Sequence, residues 1–278
     1  MRNTGQLSRI TRYLLRTFML LPSIDTAHIY DHVYIAPHLD DAALSCGGRI
    51  ALQCQAGERV LVVTLCAGSP PRDQALSPFA QYLHSAWALG DDPIAQRRAE
   101  DVAALAALGC DGLHLDHLDA PYRLPEYGEG DNWRGTPVPH DPLLPAAQAI
   151  MQHLWNQQPG ARFYVPLGVG NHVDHQLVCA AGITLHGAGG DVVWYEDAPY
   201  AAKDPAAIEQ RLQVLADQFV PEIVEISAVL ERKLKAIRCY TSQLGELFGD
   251  QTMEQVMTRY AQTVGAQRGL GERVWHRS

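Results

Sequence analysis

Between His32 and Tyr195, short apolar, β-rich runs alternate with stretches of helical periodicity, and few architectures accept that alternation. The segments 32–37 (HVYIAP), 60–66 (VLVVTLC), 112–118, 162–166 (RFYVP) and 191–195 (DVVWY) read as strands. The second is continuous rather than alternating, the pattern of a strand covered on both faces. Helical stretches separate them: 42–55, closed by Gly57; a segment opened by Pro93, with Val102, Leu105, Ala106 and Leu108 at helical spacing and Gly109 as its stop; 143–155; and 173–185. Strands joined through helices require right-handed crossovers. The expected fold is therefore α/β, a single Rossmann-like domain spanning residues 1–278, with a mostly parallel sheet and helices on both faces. Beyond Tyr200 the periodicity turns helical, clearest over 206–216 and 226–240, and fades into a polar tail. Residues 203–278 are thus expected to be a helical C-terminal elaboration. Two stretches, 68–92 and 120–142, are rich in Pro, Gly, Asp and Tyr and lack periodicity; loops this long tend to be lids or binding walls.

With 278 residues, 47% of them hydrophobic, the chain has ample material for a core. Its formal charge of −9 argues against nucleic acid as a partner, because phosphate binding needs a basic surface. The six cysteines contain no C-x-x-C, and most read as small buried hydrophobes in a reducing, cytoplasmic compartment. Near the N-terminus, Arg12 and Arg16 interrupt the apolar run that a signal peptide would need. Residues 1–27 are expected to form an amphipathic extension, its helix ending before Pro22, and no segment reaches the roughly 18 apolar residues of a membrane span.

Histidine and aspartate concentrate at two strand ends. Pro37-His38-Leu39-Asp40-Asp41 follows the first strand, and Asn171-His172-Val173-Asp174-His175 follows the fourth. In a doubly wound sheet, ligands sit beyond the carboxyl ends of the strands. His38 and Asp41 span a strand-to-helix turn and can reach one ion; His172 and His175 share one face of the next helix. A His₂–carboxylate set of His38, Asp41 and His175 suits catalytic zinc, which takes three protein ligands and leaves a position for water; the same set also suits iron(II). Each cluster has a plainer reading, in which Asp40, Asp41, His172 or Asp174 only cap or charge-stabilise a helix start.

Other features are weaker. Gly187-Ala188-Gly189-Gly190 follows a helix and lacks dinucleotide-fingerprint spacing. His114 and His117 fall on opposite faces of an extended segment. Tyr122, Tyr127 and Trp133 read as packing the second long loop down, with stacking on a sugar ring as the alternative.

His38-Leu39-Asp40-Asp41 resembles the H-P-D-D signature of the LmbE-like (PIG-L) zinc-dependent N-deacetylases, and His172-Val173-Asp174-His175 their H-x-D-H signature. Ser45 to Gly48, Arg97 to Glu100 with Leu108-Gly109, and Tyr195 to Tyr200 are similar to further family segments, so the likeness runs from about His32 to Tyr240. The resemblance implies zinc bound by His38, Asp41 and His175, Asp40 as general base, and His172 stabilising or protonating the reacting centre. It also implies a substrate-contacting role for Arg97 and, more loosely, for Asp119. Leu39 replaces the usual proline and Ala42 an acidic residue, so hydrogen bonding around the metal is open to change.

The expected reaction is hydrolysis of an N-acetyl or other N-acyl group on an amino sugar or glycoconjugate. Asp40 would take a proton from zinc-activated water, and a protonated His172, held charged by Asp174, would stabilise the tetrahedral intermediate. Asp40 can serve only if its surroundings raise its pKa. The alternatives are a metal-dependent phosphoesterase, which usually needs ligands for two metals, and a non-catalytic zinc-containing glycan binder, which needs neither base nor acid. A homo-oligomer would be consistent with the family.

Overall fold

The computed structural model describes residues 18–25, 27–87, 90 and 92–278. Most of the expected N-terminal amphipathic helix lies outside them. In chain order the elements are β1 (His32–Ala36), α1 (Asp41–Gln55), β2 (Val60–Thr64), α2 (Pro78–Trp87), α3 (Pro93–Leu108), β3 (Asp111–His114), α4 (Ala120–Arg123), α5 (Leu143–Gln157), β4 (Arg162–Pro166), α6 (Val173–Gly187) and β5 (Val192–Tyr195). There follow α7 (Tyr200–Lys203), α8 (Ala206–Leu215), β6 (Phe219–Glu225), α9 (Leu230–Ile237), α10 (Leu244–Phe248), α11 (Met253–Gly265) and β7 (Gly271–Arg277).

The strands form one seven-stranded sheet in the order β3-β2-β1-β4-β5-β7-β6. β1 to β5 run parallel, and β7 and β6 add an antiparallel margin. Alternation along β1 divides the core. Val33 and Ile35 join Leu61, Phe163 and Val165 under α5 and α6, whereas Tyr34 and Ala36 join Val60, Val62 and Tyr164 under α1 and α3. At Gly182 a Cβ would stand 2.7 Å from Val165, so α6 lies against β4 more closely than any side chain there would permit. Strand order reverses between β1 and β4. The crevice that forms beyond strand ends at such a reversal is where both His/Asp clusters emerge.

The C-terminal part differs from its expected all-helical character. Its helices are present, but β6 and β7 are strands. β6 (FVPEIVE) carries Pro221 and is half-exposed, properties of an edge strand that erase the sequence signal of a buried one. β7 (GERVWHR), expected as polar tail, pairs with β5 on one side and β6 on the other. The first long loop contains α2, whose buried residues are Ala80 and Trp87, too few to print an apolar stripe.

Candidate metal centre

The β1–α1 turn holds its side chains through backbone geometry that few residues accept. Asp40 sits at φ 123°, outside the regions open to ordinary L-residues, and its side chain makes no capping hydrogen bond to α1. Strain retained at an aspartate that does not cap argues for a use of its carboxylate. Asp41 Oδ2 instead accepts the His38 amide at 2.8 Å. Leu39, where proline was expected, is 1% exposed and packs with Ala67, Ala80, Trp87, Ile94 and Tyr122, so side-chain burial anchors the turn. Ala42, in place of an acid, is buried in the apolar cluster beneath α1.

The β4–α6 connection brings the second cluster over the first. His38 Nδ1, His175 Nε2 and Asp41 Oδ2 form a triangle with edges of 3.2, 3.3 and 3.3 Å. Tetrahedral coordination with bonds of about 2.0–2.1 Å places neighbouring donors about 3.3–3.4 Å apart, so the three atoms fit one face of a zinc-type tetrahedron. The opposite ring nitrogens are already engaged. His175 Nδ1 donates to Asp197 Oδ1 at 2.6 Å, and His38 Nε2 donates to Asp174 Oδ2 at 3.1 Å. These carboxylates fix the tautomers that leave His38 Nδ1 and His175 Nε2 with lone pairs toward a shared ion. Asp197 was not singled out as a site residue on the sequence, although it lies at the end of β5. It is fully buried, and its other oxygen accepts the Gly168 and Val169 amides, each at 2.8 Å.

The electrostatics ask for positive charge at the triangle. Burial opposes an imidazolium at His175, but Asp41 and Asp197 outweigh it and push the pKa up to about 10. His38 is likewise held well above its usual value against burial, by Asp119, Asp174 and Asp41. The Asp41 carboxyl, despite burial, is held below the usual range by His175 and His38. A divalent cation would supply the same compensation.

Around the triangle stand the other candidates. Asp40 is 7% exposed; burial and the adjacent Asp41 push its pKa up to about 7, against the opposing pull of Arg97 and His38. Arg97 reaches Asp40 Oδ2 at 3.5 Å, donates to Leu39 O at 3.2 Å, and lies over the Trp87 ring. Asp119 Oδ1 is 3.4 Å from His38 Nε2 and 4.0 Å from His172 Nε2, so Asp119, like Arg97, lies beside the centre. His38, His172 and His175 all offer ring nitrogens within 4.8 Å of one another.

Two expectations need correction. Asp174 does not hold His172 charged. Its carboxylate is taken by His38, Arg123 and the Ala120 amide, because the first turn of α6 points it beneath the site rather than along the ring of His172. Its backbone amide instead donates to His172 Nδ1 at 3.2 Å, which makes His172 the helix cap and puts the proton of a neutral ring on Nε2. Burial, and then the charge on His38, also pull the His172 pKa down to about 3, which favours the neutral ring over the expected protonated one. Arg123, also missed on the sequence, pairs with Asp141 at 2.8 Å and contacts Asp174, tying the second long loop to the floor of the site. Tyr122 and Tyr127 are buried and pack that loop, whereas the Trp133 ring lies 5.1 Å from that of His172. His114, read as an ordinary histidine, pairs with Asp101 at 2.7 Å.

A donor triangle at the switch point of a parallel sheet, with a buried carboxylate and an imidazole beside it, is an arrangement that could hold an ion and suits metal-dependent hydrolysis. The family model described as PIG-L, GlcNAc-PI de-N-acetylase, matches residues 33–186. A 2'-N-acetylparomamine deacetylase of Streptomyces fradiae is 30% identical over 228 residues, covering 75% of this chain and 72% of that protein. A 1D-myo-inositol 2-acetamido-2-deoxy-alpha-D-glucopyranoside deacetylase of Mycobacterium sp. (strain JLS) is 28% identical, covering 76% and 73% respectively. The crystal structure of the zinc-inhibited form of teicoplanin deacetylase Orf2 superposes with a TM-score of 0.75 at 28% identity, covering 88% of this chain and 98% of that one. The chain belongs to the PIG-L (LmbE-like) family of N-deacetylases. Among the described residues, no helix is long and apolar enough to cross a membrane.

Proposed function

We propose that the protein hydrolyses an N-acetyl group from an amino sugar or its conjugate, with zinc held by His38, Asp41 and His175. The donor triangle, with edges of 3.2–3.3 Å and an oriented carboxylate behind each imidazole, is the observation that carries this reading. A divalent ion held there would polarise the acyl oxygen and lower the pKa of a bound water to about 7. Asp40, adjacent to that triangle and buried, takes the proton from the attacking water and delivers it toward the departing amine. Arg97 fixes the Asp40 carboxylate in place. His172 donates a hydrogen bond from neutral Nε2 to the oxyanion, a role that a fixed donor fills without changing its own charge. Asp197 and Asp174 orient the two imidazoles. The products are acetate and a free amino sugar, as the names of the relatives' substrates suggest, and the free thiols of all six cysteines suit a cytoplasmic setting.

The test is acetate release from a panel of N-acetylated amino sugars, with zinc supplied, then chelated, then restored. Release that follows the metal supports the reading. No release from any member by zinc-loaded, folded protein would overturn it.

A further inference from the structure

The second long loop places a cation, Arg134, at the rim of the centre without an acidic partner among the described residues. Arg134 is exposed, and its guanidinium lies 4.2 Å from the Trp133 ring centroid and 5.6 Å from that of Tyr200. Those two rings border the centre: Trp133 is 5.1 Å from the ring of His172, and Tyr200 is 6.1 Å from the ring of His175. The arginines deeper in the site are all neutralised, Arg97 beside Asp40 and Arg123 beside Asp141 and Asp174. Among the described residues no carboxylate lies within ion-pair distance of Arg134 or of exposed Lys203, which ends the short α7 helix begun by Tyr200. Arg134 repels Lys203, and Glu246 attracts it only through space. Trp133 Nε1 is buried without an acceptor.

A surface arginine normally roams. This one is laid against aromatic faces, an arrangement that spends little further entropy when it meets an anion. We infer that Arg134, supported by Lys203, forms an anion-binding subsite at the mouth of the centre, and that the preferred amino sugar carries a phosphate or carboxylate. Guanidinium presents the paired donors that both groups accept, and the hydrogen bonds are charge-assisted. The inference rests on the proposed reaction for its position on the substrate, but the subsite itself is a matter of binding.

The experiment compares N-acetylglucosamine with N-acetylglucosamine 1-phosphate, N-acetylglucosamine 6-phosphate and N-acetylmuramic acid, the last separating carboxylate from phosphate. Hydrogen bonds to a charged group predict a kcat/KM preference of about 10- to 100-fold for one anionic sugar, carried mainly in KM. Arg134→Gln should collapse that preference and Arg134→Lys restore part of it. Wild-type protein that favours the neutral sugar, or a ratio unmoved by Arg134→Gln, would overturn the inference. If none of the sugars is hydrolysed, the reaction assignment fails, and calorimetry still decides the subsite. Tighter binding of a phosphorylated sugar or of N-acetylmuramic acid than of N-acetylglucosamine, abolished in Arg134→Gln, supports it; equal binding of all four sugars refutes it.

Discussion

Asp197→Asn tests the centre through a residue that touches neither metal nor substrate. The substitution keeps the shape of the side chain and changes what its two heteroatoms can do. With its oxygen on the Gly168 and Val169 amides, as Asp197 Oδ2 is now, the new amide nitrogen faces His175 Nδ1. Nδ1 must then accept, which moves the ring proton to Nε2, the atom 3.3 Å from Asp41 Oδ2 and 3.2 Å from His38 Nδ1. A protonated Nε2 cannot ligate. The flipped rotamer saves the tautomer but points an NH₂ at two buried amides, each unsatisfied donor costing about 1–3 kcal/mol. Either way, metal binding pays. Loss of a partner that orients a ligand typically weakens affinity 10- to 100-fold, and the forced tautomer puts this case at the upper end, about 2.8 kcal/mol. Zinc affinity by competition against a chromophoric chelator, with circular dichroism to verify folding, is the measurement. A folded variant whose zinc Kd stays within about threefold of wild type would refute the argument that Asp197 sets the tautomer.

Three further outcomes are expected. Asp40→Asn should retain zinc and lose about 10²- to 10⁴-fold in kcat, as removal of a general base does; elemental analysis and acetate release check the two halves separately. His172→Gln should keep its metal and lower kcat about 10²-fold with little change in KM, the signature of a donor used in the transition state; a metal-depleted variant would make His172 a ligand instead. Arg123→Met leaves Asp141 and Asp174 buried without their cation and should cost about 3–5 kcal/mol of stability, read from urea denaturation; a loss below about 1 kcal/mol would mean that the pairing does not hold the loop.

What could be read from the sequence was what local spacing encodes. H-x-x-D across a turn and H-x-D-H at a helix start place their side chains within a few residues, so His38, Asp41, His172 and His175 were visible before any fold existed. The strands β1, β2, β4 and β5 were visible because burial on both faces leaves continuous apolar runs. The orienting groups were not. Asp197 and Arg123 meet their partners across separations of 22 and 51 residues; the segment 195–200 stood out at a strand end, but no local spacing tied Asp197 to His175 or Arg123 to Asp174. The job of Asp174 was misread for a related reason. Adjacency to His172 suggested an interaction, but helix geometry sends neighbouring side chains in different directions and gave its carboxylate to His38. β6 escaped notice as a half-exposed edge strand, and β7 because its charged residues mask a strand that is mostly buried, with Glu272 matched by Lys233 and the Gly48 and Arg49 amides.

That antiparallel margin also braces the metal centre from behind. Glu196, the residue before Asp197, is gripped by Tyr260 of α11 and by Arg273 and Trp275 of β7. The far end of β5 is thus clamped from a strand 77–79 residues away rather than by its parallel neighbours. Through Glu196 the pivot on which His175 turns is braced by the same ribbon that joins β6 to the sheet, so slack in that ribbon would be transmitted to the metal centre.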